Sequence, residues 1–180
     1  WLTPVMIFFT RFGNEDFFFL VLPLIYWSID ASLGIRVGFI LITSNFVNLL
    51  GKLAFMGPRP YWVSSHVRPL WAEPSLGLPS NHAQNAMSVW GIIAAYRKRP
   101  VETAICVFLI FIIGLSRIYL GSHFPHDVIL GWLIGAVLLW VFLRLWNGAV
   151  AWLQTKTFTQ QVGIAFGASM LMVVIGLTAT

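Results

Sequence analysis

Long apolar runs, each closed by a small polar or charged cluster, organise the chain. The pattern predicts six membrane-spanning helices, at about 16–28, 36–55, 82–96, 101–120, 126–145 and 161–178. Several charge-free cores fall short of the roughly 20 residues that a span needs, so their polar ends are expected to extend the helices. The longest interruption covers 56–80 and reads MGPRPYWVSSHVRPLWAEPSLGLPS, where five prolines and two glycines exclude a continuous helix. A loop of this length in a compact bundle is more often functional than idle. Internal repeats and low-complexity segments are absent from the sequence. The expectation is an all-α, polytopic helical bundle forming one membrane-embedded domain over 1–180, with its motif-bearing core at 36–146.

Composition separates this bundle from a large soluble core. Of the 180 residues, 58% are hydrophobic and 9% charged, whereas a soluble domain carries about 25% charged residues. No stretch has the basic, apolar and small-residue layout of a cleavable signal peptide, so insertion is expected to rely on the helices themselves. Because the chain starts at Trp1 and stops in a hydrophobic segment, truncation at one or both ends is also expected. Its one cysteine, Cys106, lies mid-run and reads as a small hydrophobe. The net charge of +5 does not point to nucleic acid, because the basic residues are scattered among spans and loops. The bilayer, anionic headgroups and phosphate are better partners. Nothing in the pattern sets an oligomeric state.

Alternating the spans puts Arg36, Arg97, Lys98, Arg99, Arg144 and Lys156 on one side, and Arg11, Lys52, Arg59, Arg68 and Arg117 on the other. The positive-inside tendency makes the first side cytoplasmic if the second group is retained for function. The expectation is an integral membrane protein, of a bacterial inner membrane, with the N-terminus, the 56–80 loop and the active site facing the periplasm or outside.

The functional candidates lie on that second side. Asn45, Asn48 and Lys52 share one helical face; interhelical hydrogen bonding explains the asparagines, but an ammonium near membrane depth needs a partner. Arg59, set among Gly57, Pro58 and Pro60, offers a planar fork suited to phosphate oxygens. Ser80 is placed to cap the third span, with His82 on its first turn, where free amides suit an anion. His66 has no partner at a fixed spacing and reads as a surface residue. In SRIYLGSHFPHD, residues 116–127, His123 and Asp127 stand four apart, on adjacent helical turns. A carboxylate there can fix the imidazole tautomer and leave the other nitrogen free as a nucleophile. His126 points elsewhere on that helix and is assigned to the surface. Taken singly, each residue has an ordinary structural explanation. Together, three cations, two histidines and an orienting acid form a kit for phosphoryl transfer without a metal.

At these residues the sequence resembles the type-2 phosphatidic acid phosphatase family, in the superfamily that includes vanadium haloperoxidases. Three motifs carry the resemblance: Lys52, six residues, then Arg59-Pro60; Pro79-Ser80-Asn81-His82; and Ser116-Arg117, five residues, His123, three residues, Asp127. FGNEDFFFLVLPLIYWSID, residues 12–30, more loosely resembles the glucose-6-phosphatase and sphingosine-phosphate phosphatase branch. Asn81 departs from the Gly, Ser or Thr of many members, which bears on substrate more than on chemistry. The resemblance implies that His123 attacks phosphorus, Asp127 orients it, and His82 protonates the leaving oxygen. It implies that Lys52, Arg59, Ser80 and Arg117 bind the phosphate, with no cofactor and no metal. The resulting expectation is a hydrolase of lipid phosphates or pyrophosphates working through a phosphohistidine. The rival readings are a phosphotransferase using the same intermediate, a vanadate-dependent haloperoxidase, and an inactive lipid-binding homologue.

Overall fold

Helix-starting and helix-breaking residues alternate along the chain, and the elements follow them. The computed structural model describes residues 1–179. A proline in the first turn opens α1 (Thr3–Arg11), where its missing N–H leaves no bond unmade. Next, α2 (Glu15–Leu24) runs on through a π-helical turn, Ile25–Ile29. Asp30 caps α3 (Ala31–Phe55), its carboxylate accepting from the Leu33 amide at 3.0 Å. Within the proline-rich break only a short turn, α4 (Pro60–Val63), is helical. A rod then forms from α5 (Asn81–Asn85), a π-helical turn Ala86–Trp90 and α6 (Gly91–Arg97). Proline again begins α7 (Pro100–Tyr119) and α8 (Pro125–Gln154), and α9 (Phe158–Ala179) closes the order.

Among the described residues, four helices are long and apolar enough to cross a membrane: Ala31–Val63, Pro100–Tyr119, Pro125–Gln154 and Phe158–Thr178. The segments expected at 16–28 and 82–96 are helical but shorter than these four. Three boundaries differ from the sequence pattern. The cap at Asp30 starts α3 ahead of Arg36. No proline interrupts 145–154, so α8 continues past Leu145 to 30 residues, about 45 Å of helix. The short α1, too brief to register as a span, packs on α7.

The side-chain distribution is inverted relative to a soluble protein. Trp140, Leu133, Val137, Phe166 and Leu171 face outward, while Ser44, Asn48, Gln84, Asn85 and Ser88 are buried. Phe18, Leu33, Val37, Ile40, Leu41, Val89 and Ile92 form an apolar core between α2, α3 and the α5–α6 rod. At the polar end, α5 packs directly on α8. Gly131 and Gly135, one turn apart, make this approach. A Cβ on Gly131 would lie 2.6 Å from the Ser80 carbonyl oxygen, and one on Gly135 would lie 2.7 Å from that of Gln84. The Ser80 amide donates to the Asp127 carbonyl at 3.0 Å across the same seam.

Gly131→Ala is therefore expected to force α5 and α8 apart and to cost about 1–3 kcal/mol of stability. Thermal unfolding in detergent checks this against Gly163→Ala, where an added Cβ meets nothing within 4 Å and the midpoint should hold.

Candidate active site

The Gly131–Ser80 seam sets the start of α5 beside the start of α8, and the 56–80 loop closes over both. Gly121, at φ +69°, turns the chain between α7 and α8 in a conformation that favours glycine. The loop is pinned to this turn: the Leu70 amide donates to the Leu120 carbonyl at 3.0 Å, and the Ser122 hydroxyl donates to the Trp71 carbonyl at 2.6 Å.

At this end lie Lys52 of α3, Arg59 of the loop, Ser80 and His82 at the start of α5, Arg117 of α7, and His123 and Asp127 at the start of α8. His123 is buried, with Nδ1 3.3 Å from Asp127 Oδ2. The same Asp127 oxygen accepts from the Phe124 amide at 2.9 Å, so one carboxylate both caps α8 and holds the imidazole. On the other side of the ring, Arg59 Nη1 lies 3.3 Å from Nε2 and donates to the Ser122 carbonyl at 2.9 Å. An arginine can only donate, so Nε2 accepts and the ring proton lies on Nδ1, facing Asp127. Burial is the main force pushing the His123 pKa down, to about 4; Asp127 pulls it up, and Arg117 and Arg59 push it further down. The imidazole is therefore neutral at neutral pH, with its lone pair directed at the basic cluster.

Arg59 and Arg117 have no solvent exposure. Arg59 Nε donates to the Ser75 carbonyl at 2.5 Å, and Nη2 donates to Ser75 Oγ at 3.0 Å and to Glu73 Oε2 at 3.0 Å. Arg117 Nη1 donates to Thr10 Oγ1 at 2.9 Å, and its Nη2 to Glu73 Oε1. Lys52 Nζ donates to Ser75 Oγ at 2.7 Å. Burial raises the Glu73 pKa, but Arg117 and Arg59 outweigh it and leave the carboxyl below its usual range.

Ser80 stands at the N-cap of α5, but its hydroxyl makes no cap hydrogen bond, which corrects the capping role expected of it; Oγ is buried and without a partner. His82 Nε2 is likewise buried and unpartnered, and Nδ1 is 3.8 Å from Glu73 Oε1, too far for a hydrogen bond. Both side chains keep hydrogen-bonding capacity in reserve. A cavity of about 530 Å³ opens beside them, lined by Asn14, Glu15, Asn45, Asn48, Lys52, Glu73, Asn81 and His82 among others. Glu15 Oε1 accepts from Asn81 Nδ2 at 2.7 Å, tying the α1–α2 turn to α5.

The remaining candidates lie outside this cluster. His66 is exposed. His126 is also exposed and stacks on Phe124, although its Nε2 comes within 3.1 Å of Asp127 Oδ1. The asparagines of α3 make interhelical bonds: Asn48 Nδ2 donates to Gln84 Oε1 at 2.9 Å, and Asn45 Oδ1 accepts from Asn85 Nδ2 at 2.7 Å. Sequence reasoning missed Glu73 and Thr10. Glu73 is the only acidic residue in 56–80, and that isolation among cations was the signal available. Thr10 carried none.

Fold and site define a class: a helical integral membrane protein with a buried basic cluster around a neutral histidine. The chain belongs to the PAP2 superfamily, whose family model matches residues 33–151. It is 32% identical to glucose-6-phosphatase 3 of Homo sapiens over 167 residues, covering 78% of this chain and 48% of that protein. With glucose-6-phosphatase catalytic subunit 1 of Mus musculus it shares 30% identity over 157 residues, covering 71% and 44%. The chain thus spans about half the length of these relatives. It resembles the transmembrane PAP2 type phosphatidylglycerolphosphate phosphatase of Bacillus subtilis with a TM-score of 0.70 at 25% identity, over 88% of this chain and 80% of that one. Aquifex aeolicus LpxE shares the fold, with a TM-score of 0.69 at 24% identity over 79% and 86% of the respective chains.

Histidine NMR on 15N-labelled protein in detergent should find a ring that stays neutral until the pH falls to about 4. That resonance should be lost in His123→Ala. A histidine at 6.5 when unfolded and about 4 when folded favours unfolding progressively as the pH drops between those values, and adds nothing further below them.

Proposed function

We propose that the chain is a membrane phosphatase that hydrolyses phosphate monoesters or pyrophosphates by nucleophilic substitution at His123. The observation that carries this reading is the neutral His123 held between Asp127 and Arg59, with Arg117 and Lys52 nearby. Nε2 attacks phosphorus, the bond to the leaving oxygen breaks, and His82, which takes up a proton when the phosphate dianion binds beside it, delivers that proton to the oxygen. The imidazolium formed on His123 is balanced by Asp127. Water then attacks the phosphohistidine, losing its proton to His82, and inorganic phosphate leaves. Arg59, Arg117, Lys52 and the free Ser80 hydroxyl bind the phosphoryl oxygens, where their charge strengthens as negative charge builds in the transition state. No metal takes part in this scheme.

The site belongs to the non-cytoplasmic face on this reading. Arg36, near the start of α3, stacks between Tyr96 and Trp146, with ring centroids at 5.2 and 4.9 Å. It lies sixteen residues from Lys52, or roughly 24 Å along the helix, close to the thickness of the hydrocarbon core. The two basic groups thus mark opposite faces, and the six-span arrangement within one domain accounts for both. A bacterial inner membrane with the site facing the periplasm fits that arrangement.

A lipid phosphate is the first substrate reading, because a headgroup at the interface lies level with the site. A second reading, a polyhydroxylated phosphate such as a sugar phosphate, is favoured by the cavity. Its amides and Glu15 suit hydroxyl groups better than an acyl chain, and the two curated relatives are named as glucose-6-phosphatases.

His123→Ala should reduce phosphate release by at least about 10³-fold with the thermal midpoint retained, since it removes the nucleophile. Orthovanadate should inhibit the unsubstituted protein, and chelators should leave its activity unchanged. A panel of phosphatidate, phosphatidylglycerophosphate, a sphingoid phosphate, undecaprenyl pyrophosphate and glucose 6-phosphate decides between the substrate readings. Full activity of the alanine variant, or a strict divalent-metal requirement, would overturn the mechanism.

A further inference from the structure

The single carboxylate of the 56–80 loop occupies the position between the two buried guanidiniums. Glu73 Oε2 accepts from Arg59 Nη2 at 3.0 Å, and Oε1 accepts from Arg117 Nη2. Two oxygens on one centre, each taking one arginine, is also the contact set that two oxygens of a phosphoryl group would make. The Glu73 side chain is only 19% exposed. Its Oε1 lies 3.8 Å from His82 Nδ1, so the carboxylate sits inside the site and not at its rim.

The surrounding loop allows that carboxylate to move without unfolding. The Tyr61 hydroxyl donates to the Glu73 carbonyl at 2.8 Å and accepts from the Glu73 amide at 3.1 Å. These bonds hold the backbone, leaving the side-chain torsions to swing. The cavity of about 530 Å³ that Glu73 lines offers space for the displaced carboxylate. Sharing the seat is electrostatically unfavourable, because a carboxylate and a phosphate in contact repel strongly where water is scarce. Leaving the seat empty is also unfavourable, because two buried guanidiniums would then face each other uncompensated. One anion at a time is the stable arrangement.

We propose that Glu73 is an internal anion that competes with the phosphate for Arg59 and Arg117, yielding the seat to substrate and retaking it to expel inorganic phosphate. This rests on reading the two arginines as the phosphate clamp. A competitor for one seat weakens every anion by the same factor, whatever the anion's own affinity. That equality separates competition from an orienting role for Glu73 on His82, which would act on turnover instead.

The test uses the full chain in detergent, comparing it with Glu73→Gln and with Glu73→Asp, which keeps the charge but shortens the reach. Inorganic phosphate binding is followed by 31P NMR, orthovanadate by inhibition, and turnover with p-nitrophenyl phosphate. Glu73→Gln should bind phosphate roughly tenfold more tightly, as expected for removing a charge-assisted rival. It should strengthen vanadate inhibition by the same factor and lower KM, while Glu73→Asp falls between. Without phosphate, Glu73→Gln should unfold at a lower temperature than the unsubstituted protein, and added phosphate should close the gap. Unchanged or weaker phosphate binding in Glu73→Gln overturns the proposal, as does a fall in kcat at constant KM. If phosphate binds to both proteins equally, only the role of Glu73 fails. If it binds to neither, the clamp reading fails and this proposal with it.

Discussion

A guanidinium buried in a membrane protein has to find acceptors for its donors and an anion for its charge. Arg59 and Arg117 are both fully buried, and the architecture of the polar end answers that demand. Arg59 is held by loop carbonyls, Ser75 and Glu73, and the two terminal nitrogens of Arg117 by Thr10 and Glu73, its Nε alone staying without a partner. These acceptors come from α1, from the 56–80 loop and from the turn before α8. Breaking a buried pair by removing one partner typically costs about 3–5 kcal/mol, so the loop conformation and the placement of α1 are coupled to the two charges. A loop with five prolines, which forms no ladder of its own, is ordered here because arginine donors replace the missing backbone bonds.

The same accounting extends below the site. Lipid offers no hydrogen bonds, so the polar side chains of α3 and α5 must satisfy one another. Ser44 Oγ donates to Asn85 Oδ1 at 2.7 Å, and Gln84 Nε2 donates to the Ser44 carbonyl at 2.7 Å. This network fixes the rotation of α5, and with it the direction in which His82 and Ser80 face. Gly131 and Gly135 then set the depth, letting α8 approach until the Ser80 amide meets the Asp127 carbonyl. The histidine–carboxylate pair on α8 and the unpartnered groups on α5 are thus held in register by backbone contact, which is stiffer than contact between long side chains.

What the sequence revealed depended on whether a signal was local. Spans 101–120 and 161–178 were legible because apolar runs are contiguous, whereas the choice of His123 over His126 rested on a spacing of four, the helical repeat. Proximity to Asp127 did not separate them, since His126 also reaches that carboxylate; burial and the Arg59 contact did. The start of α3 was hidden because a cap depends on the φ and ψ of Asp30, and α8 outran its pattern because Arg144 and Asn147 need not end a helix that contains no proline there. Glu73 and Thr10 were illegible as partners of Arg117, being 44 and 107 residues away. Only the folded chain makes them neighbours.

Electrostatics ties these parts to the proposed chemistry. A nucleophilic imidazole has to be neutral, and burial beside two guanidiniums keeps His123 so. The same cations that suppress its protonation would attract the phosphate to be attacked. Asp127 acts in the opposite sense, raising the His123 pKa, and its contribution on this reading grows only after attack, when the ring becomes positive. At rest the cations are balanced by Glu73 and the imidazole by its buried surroundings. During turnover, substrate phosphate would take over the first balance and Asp127 the second. On this reading the site holds charge in two different distributions with two carboxylates: Asp127 fixed in the first turn of α8, and Glu73 on a loop with a cavity beside it.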